Sequence, residues 1–376
     1  MPELQMAQWQ VELNYALPRI NTEVVDATIQ NRLWLAMLRN RNAIRTGVDG
    51  SIATMDPIDW KNAPVDDLDE STNPVYAPRD YLKWLTRGWK GKYSTDSMSY
   101  VEYLKLSQSQ HALVNRYKRM MPKLHSGLEN FLGLQLYADS TASGHARDFD
   151  GIETGCGAGA CAAGDLVAVP SGTYQGLATT LAQAGSWSSD MDTPPNATID
   201  TDWPDGYGDP EYGYHSPKLV NWSSTAWGTG STAWEANALR CIRRACSWIR
   251  ATQGGEGRGK SLFAMLSTDM LNGFKNALEP HKITLGPYKE AEDLGFPDVL
   301  NFEGCAIQSE YGCPAQTGYI VDLDDVLLEF LTEEMIKTFD PFRESDMAWK
   351  MLALTVGNMT IDVRHMAKLF NYSTAS

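Results

Sequence analysis

The chain has 376 residues, 43% of them hydrophobic, which is enough to bury a substantial core and to fill two or three domains. Its net charge of −15, from 47 acidic against 32 basic residues, argues against phosphate-led nucleic-acid recognition, which needs clustered Lys and Arg. No apolar run approaches the roughly 20 residues that cross a bilayer, and the Met1-Pro2-Glu3 start has neither a charged n-region nor an apolar h-region, so the expectation is a chain that stays in the cytoplasm where it is made.

From Thr22 to Arg39, the positions Val25, Ile29, Leu33 and Met37 recur at helical spacing behind Thr22 as N-cap and Glu23 in the first turn, which predicts an amphipathic helix. Gly47 to Tyr93 is rich in Asp, Pro and Gly, carries an acidic cluster at Asp66, Asp67, Asp69 and Glu70, and returns through Tyr81 to Lys90. It reads as a long extended loop or hairpin, and loops of this length are usually functional. Ser107 to Tyr137 is the strongest helix signal, with Leu113, Tyr117, Met120, Met121, Leu124, Leu128, Phe131 and Gln135 at spacings of three and four. Such a helix would span about 45 Å, and Pro122 is expected to kink it near the middle. Arg116, Lys118, Arg119 and Lys123 form a basic patch on it, for which a solvated or salt-bridged face is the default.

Asp139 to Gly230 is irregular, with glycine-rich turns at Gly155 to Gly164 and Gly172 to Leu177. Thr232 to Ala251 returns to helix, with Trp234, Ala238, Cys241, Ile242, Ala245 and Ile249 on one side. Gly254 to Ser261 matches the pattern of a phosphate-binding loop. A phosphate cradle needs a strand before the glycines and a helix after them. Here a helix ends at about Gln253 and Leu262 to Leu266 reads as a strand, so a flexible turn is expected. The end of the chain combines a strand-helix unit, Ser261 to Leu278, with a Leu294-Gly295-Phe296-Pro297 turn that leads to Leu300 to Gly304. A strand from Gly318 to Leu323 follows, and then a closing apolar hairpin. The hairpin is expected as Trp349 to Val356, a two-residue Gly357-Asn358 turn at positive φ, and Met359 to Val363.

None of these pieces carries a nucleophile, base or metal cluster, so no catalytic, cofactor-binding or metal-ligating residue is nominated. The six cysteines fall as Cys156/Cys161, Cys241/Cys246 and Cys305/Cys313, spacings of no common zinc ribbon or redox motif, and reduced thiols are expected. The carboxylate pairs Glu333/Glu334 and Asp324/Asp325 read as solvated charge. Trp187, Trp203, Tyr207, Tyr212, Tyr214, Trp222, Trp227 and Trp234, interleaved with Asp190, Asp192, Asp200, Asp202, Asp205 and Asp209, have the composition of a sugar-stacking cleft. A carbohydrate-active enzyme or sugar-binding protein using residues 187–234 is therefore the alternative, although no motif nominates its two carboxylates. The other reading of these aromatics is as anchors in a core or a subunit interface.

In their order, the C-terminal segments resemble the C-terminal half of tailed-bacteriophage major capsid proteins of the Hong Kong bacteriophage type. There a glycine-phenylalanine turn leads to an apolar strand with a following glycine, then to a strand in which Tyr319, Val321 and Leu323 fill the corresponding positions, then to a final strand pair. The conjunction extends upstream: the Gly172 to Gly176 turn followed by Trp187 introduces the domain around the capsomer axis, helix 107–137 stands where the long spine helix stands, and Gly47 to Tyr93 stands where an extended loop reaches over a neighbouring subunit. The resemblance implies an α+β capsid fold with an N-terminal arm (1–46), an extended loop (47–100), a peripheral domain (101–175 and 324–376, with spine helix 107–137) and an axial domain (176–323).

It further implies a shell subunit without catalysis or cofactor that self-assembles into pentamers and hexamers around double-stranded DNA. Portal, scaffold and decoration proteins are implied as further partners, with the DNA adjacent but not read and no membrane involved. The chain would be built into the virion in the host bacterial cytoplasm. The subunit-contact candidates are Asp66, Asp67, Asp69, Glu70, Lys83, Trp84, Arg87, Trp89, Lys90, Arg116 and Arg119, with the acidic group meeting Lys83, Arg87 and Lys90 of an adjacent copy and giving register more than affinity.

Overall fold

A computed structural model describes residues 33–48, 53–59, 82–107, 110–157, 161, 163–168, 170, 172–179, 217–252, 261–281, 286–294, 298–310, 312–343 and 349–372. The first helix, α1 (Leu33–Asn40), covers the described end of the helix expected over 22–39. Leu33, Trp34, Leu35, Met37 and Leu38 are all buried. Its first six residues are apolar and buried on every side, so this end of the helix is enclosed by the fold rather than laid on it. It stops at Asn42, whose φ of 55° is the left-handed cap that asparagine tolerates. The short β1 (Ile44–Arg45) follows.

The segment expected as an extended loop or hairpin contains a two-stranded antiparallel ribbon, β2 (Ala53–Asp59) and β3 (Leu82–Gly88), in register from Ala53 opposite Gly88 to Asp59 opposite Leu82. Trp89 separates it from β4 (Lys90–Met98). Two helices follow, α2 (Tyr100–Ser107) and the long α3 (Gln110–Gln135), which runs through Pro122. The irregular middle holds α4 (Ile152–Cys156), β5 (Val167–Ala168), the tiny hairpin β6 (Thr173–Tyr174) and β7 (Leu177–Ala178), and β8 (Lys218–Asn221).

From there the elements are α5 (Trp234–Thr252), β9 (Leu262–Leu266), α6 (Thr268–Leu278) and α7 (Lys289–Asp293). The strands β10 (Leu300–Phe302), β11 (Cys305–Ser309), β12 (Gly318–Asp322), β13 (Val326–Phe330), β14 (Lys337–Arg343), β15 (Trp349–Ile361) and β16 (Met366–Phe370) complete the chain. Residues 254–260 of the phosphate-loop pattern and 295–297 of the glycine-phenylalanine turn lie outside the described residues. The helix before the pattern and strand β9 after it are the reverse of what a phosphate cradle requires.

Two sheets organise the core. One has seven strands in the order β10-β11-β9-β12-β16-β8-β5. Its central β9 and β12 are buried at every residue, which fits strands covered on both faces. One face packs Leu262, Ala264, Leu266, Ile320 and Leu369 against α5 and α6 through Ala238, Ile242, Ile249, Met270 and Phe274. Its other face, with Phe263, Met265, Tyr319, Val321 and Met366, joins the same core as α1 and the inner side of α3. The second sheet has five strands in the order β1-β13-β15-β14, with β4 on the opposite edge of β15. Strands β5 and β16 lie outside 176–323 in sequence, and both belong to the seven-stranded sheet.

The closing hairpin expected around Gly357-Asn358 is absent. Trp349–Ile361 is a single 13-residue strand, and its first nine residues pair with β4 while its last five pair with β13. The two residues that signal a turn serve contact instead. A Cβ on Gly357 would lie 2.4 Å from the Glu329 carbonyl oxygen and 2.7 Å from the Phe330 ring, so glycine is required for close approach. Asn358 is buried and donates from Nδ2 to Gly88 O at 2.7 Å and to Asp150 Oδ2 at 2.8 Å. Its Oδ1 accepts from Asp150 N at 2.9 Å and Met359 N at 2.8 Å. An asparagine satisfied by tertiary partners has no need of a turn.

Candidate assembly surface

The β2–β3 ribbon leaves the body through a root of buried polar contacts. Arg87 is only 2% exposed, and its Nη1 lies 2.8 Å from Glu329 on β13 and 2.5 Å from the Thr360 hydroxyl on β15. Thr86 N donates to Gln175 O at 2.8 Å, and Gln175 Nε2 donates to Met359 O at 2.9 Å. Lys90, at the start of β4, pairs with Asp150 at 2.9 Å, and Asp150 also accepts from Ser140. Tyr174 donates to the carbonyl oxygens of Asp150 and Met359 and accepts from Ile361 N, and burial pushes its phenol well above the ordinary range. The edge of β15 beyond β4 is thus covered by side chains and by the β6–β7 hairpin rather than by another strand.

The five-stranded sheet has an inner and an outer face. Along β4, Lys90, Lys92, Ser94 and Asp96 are half-buried on the α3 side, where Lys92 Nζ stands 5.1 Å from the Phe131 ring centre and pairs with Asp148 at 2.9 Å. The alternate residues Gly91, Tyr93, Thr95 and Ser97 are exposed, as period-2 geometry requires. Register places Tyr93 beside Leu354 and Lys337, and Thr95 beside Leu352 and Phe339. Tyr93 is 69% exposed, and Phe339 and Phe342 on β14 are also exposed. The outer face thus exposes Tyr93, Phe339 and Phe342 among Thr95, Ser97, Lys337 and Lys350. Trp84 on the ribbon, 51% exposed, and Tyr100, Val101 and Leu104 on α2 add separate exposed apolar groups.

The residues nominated from sequence divide sharply. Asp66, Asp67, Asp69 and Glu70 lie outside the described residues, as do the side chains of Lys83 on β3 and Arg119 on α3. Trp84 is free to meet a neighbour, and Trp89 is half-buried between two strands. Arg87 and Lys90, expected to face an adjacent copy, are already paired inside their own chain. Arg116 pairs at 3.0 Å with Glu102 on the adjacent helix. Tyr93, Phe339 and Phe342 were not nominated; the signal was the alternation in Lys90 to Met98, hidden inside a stretch that reads as loop by composition.

The aromatic stretch that suggested a sugar cleft is partly core. Trp222, Trp227 and Trp234 are buried, and their indole nitrogens donate to the carbonyl oxygens of Gln316, Asn221 and Met270. Trp222 meets Trp234 edge-on at 5.9 Å. Trp187, Trp203, Tyr207, Tyr212 and Tyr214, with their interleaved aspartates, lie outside the described residues. All six cysteines are free thiols, with Cys156, Cys241, Cys246 and Cys305 buried. Among the described residues no helix is long and apolar enough to cross a membrane.

No protein-family model and no curated protein matches the sequence. Solved structures do match. A chain of the cyanophage A-1(L) capsid asymmetric unit superposes with a TM-score of 0.51 at 11% identity, over 89% of this chain and 92% of that one. A chain of the capsid of a native GTA particle gives 0.47 at 10% identity, over 89% of each, and a capsid chain of the Myoviridae phage XM1 gives 0.45 at 8%, over 89% and 91%. With its long helix, its projecting ribbon and its two sheets in this connectivity, the chain has the fold of a tailed-bacteriophage capsid protein of the Hong Kong bacteriophage type.

Proposed function

We propose that the chain is a major capsid protein, a structural subunit that assembles with copies of itself into the pentamers and hexamers of an icosahedral head around double-stranded DNA. The observation that carries this reading is the fold shared with a phage capsid chain over about nine-tenths of both chains. Residues 1–46 act as an arm, 47–100 as the loop that reaches a neighbour, 101–175 and 324–376 as the peripheral domain and 176–323 as the axial domain. Portal, scaffold and decoration proteins are the further partners, the packaged DNA is contacted without sequence readout, and the assembled head is built in the host cytoplasm.

Subunit contact, in this reading, uses the outer face of β4, β15 and β14 together with Trp84, Lys83 and the acidic group Asp66, Asp67, Asp69 and Glu70. Arg87 and Lys90 orient the ribbon instead of meeting a neighbour, because each already has a partner in its own chain. Arg116, which pairs with Glu102 in its own chain, and Arg119 remain candidates. Negative-stain electron microscopy of the expressed chain, alone and with its neighbouring reading frames, tests the proposal. Closed shells, tubes or capsomer rings are expected; a persistent monomer in both samples overturns it.

A further inference from the structure

The β2–β3 ribbon meets the body along one edge. In an extended strand the backbone groups of alternate residues point the same way. Thr86 N donates to Gln175 O at 2.8 Å and Gly88 O accepts from Asn358 Nδ2 at 2.7 Å, so both bonds leave the outer edge of β3. Arg87, between them, stands opposite Thr54 of β2. Only Trp89 separates Gly88 from β4, and a Cβ added at Gly88 would meet nothing within 4 Å, so the backbone has room to pivot there. On the other strand Gly47 N and Val48 N donate to Thr332 O and Phe330 O, but β2 begins only at Ala53. The bonds at Thr86 and Gly88 lie in the plane of the ribbon, close to its end. They resist a sideways swing and oppose a tilt out of that plane only weakly.

Side chains stand out of the plane of a ribbon, and that of Arg87 supplies the missing direction. It passes the Thr360 hydroxyl of β15 at 2.5 Å and ends 2.8 Å from Glu329 on β13, the next strand of the sheet. Both side chains are buried, so salt screens the pair little. Glu329 also stands beside Arg45 of β1 in parallel register, with Arg45 Nη1 at 3.6 Å. One carboxylate therefore meets the chain before the ribbon and after it. Seven residues of β3 make a lever, about 20 Å long at about 3.4 Å per residue. A tilt of about 10° at the root carries the Asp59 and Leu82 end through about 3.5 Å, enough to break any hydrogen bond made there.

We propose that the Arg87–Glu329 pair is the positioning element of the ribbon: it fixes the tilt at which the ribbon leaves the body and so, in the capsid reading on which this consequence rests, the angle at which one copy reaches the next. The backbone bonds set where the ribbon starts, and the ion pair sets where it points. A guanidinium and a carboxylate suit that task because their pairing is directional. Apolar side chains of similar volume fill the same space without a preferred angle. Stability and direction are therefore separable in Arg87→Met combined with Glu329→Leu, which removes both charges and strands neither.

Amide residual dipolar couplings of the unassembled full chain report the orientation directly. In the wild type, the couplings of β2 and β3 should fit the alignment of the two sheets. In the double variant the sheets should keep that fit while the ribbon couplings lose about half their amplitude or more. Arg87→Lys, which keeps the charge but not the fork, should show a smaller loss and serves if the double variant does not fold. Ribbon couplings that fit the sheets in every folded variant, or that fail to fit them in the wild type, overturn the proposal whether or not the chain assembles. In electron micrographs the double variant, matched to wild type in melting temperature, should lose closed shells by about tenfold or give open sheets and tubes. Normal shells from it overturn the consequence for assembly. A wild type that forms no assemblies overturns the capsid reading alone, and the couplings still decide the role of the pair.

Discussion

At Asn358, one side chain closes four hydrogen bonds in the interior, two as donor and two as acceptor. Truncation leaves Gly88 O, Asp150 N and an Asp150 carboxylate oxygen short of a partner in a dry site. Asn358→Ala should destabilise the chain by about 2–4 kcal/mol, read as a lower urea midpoint with an unchanged slope. Lys218 makes a different kind of prediction. Burial lowers its ammonium to about 7, opposed by Asp362 and assisted by Arg364. The unfolded lysine keeps its proton to above pH 10 or so. Between those values the unfolded state binds more protons, so this residue makes stability rise with pH across that window and carries its full cost below it. Lys218→Met should therefore be more stable than wild type by about 1–2 kcal/mol at about pH 6.5, and the gap should close by about pH 10. Paired thermal melts at the two pH values check the sign.

Among elements, the ribbon shows how sequence and tertiary contact divide the work. Composition places an extended excursion between Gly47 and Tyr93, and the strands β2 and β3 lie inside it. Its charges read as outward contacts, because a basic residue in a polar segment is by default solvated. Arg87 instead turns inward to Glu329, a residue 242 positions away that no local pattern links to it. Removing one partner of a buried pair strands the other. Arg87→Met should cost about 3–5 kcal/mol, and the double variant Arg87→Met with Glu329→Leu should recover more than half of that; a double-mutant cycle in urea measures it. The closing strand is the complementary lesson. Gly357-Asn358 has the chemistry of a tight turn, and only the pairing of β15 with β4 on one edge and β13 on the other keeps it extended.

For the whole molecule, the outer face of β4, β15 and β14 offers the sharpest test of assembly. Tyr93 and Phe339 are exposed in the single chain and sit in adjacent rows of that face. Tyr93→Lys with Phe339→Lys should leave the melting temperature within a few degrees of wild type, as surface substitutions do, while reducing assembled particles at least tenfold by sedimentation. A folded double variant that assembles normally removes this face from the contact surface. The buried Trp222, Trp227 and Trp234 show why the sugar-cleft composition was ambiguous: aromatic content records the need for large side chains, and only packing decides whether they cover a core or a ligand.

Local periodicity and ordered spacing were enough to place α3, α5, the strand-helix unit β9–α6 and the strand β12, because each repeats a hydrophobic pattern within a few residues. The same order of segments carried the resemblance to a capsid fold. Which strands share a sheet, that the last apolar run is one strand, that Arg87 and Lys90 face inward and that His365 meets Asp325 were decided only in three dimensions. Those outcomes depend on contacts between residues tens to hundreds of positions apart, and the free energy of such contacts leaves no periodic mark on the chain.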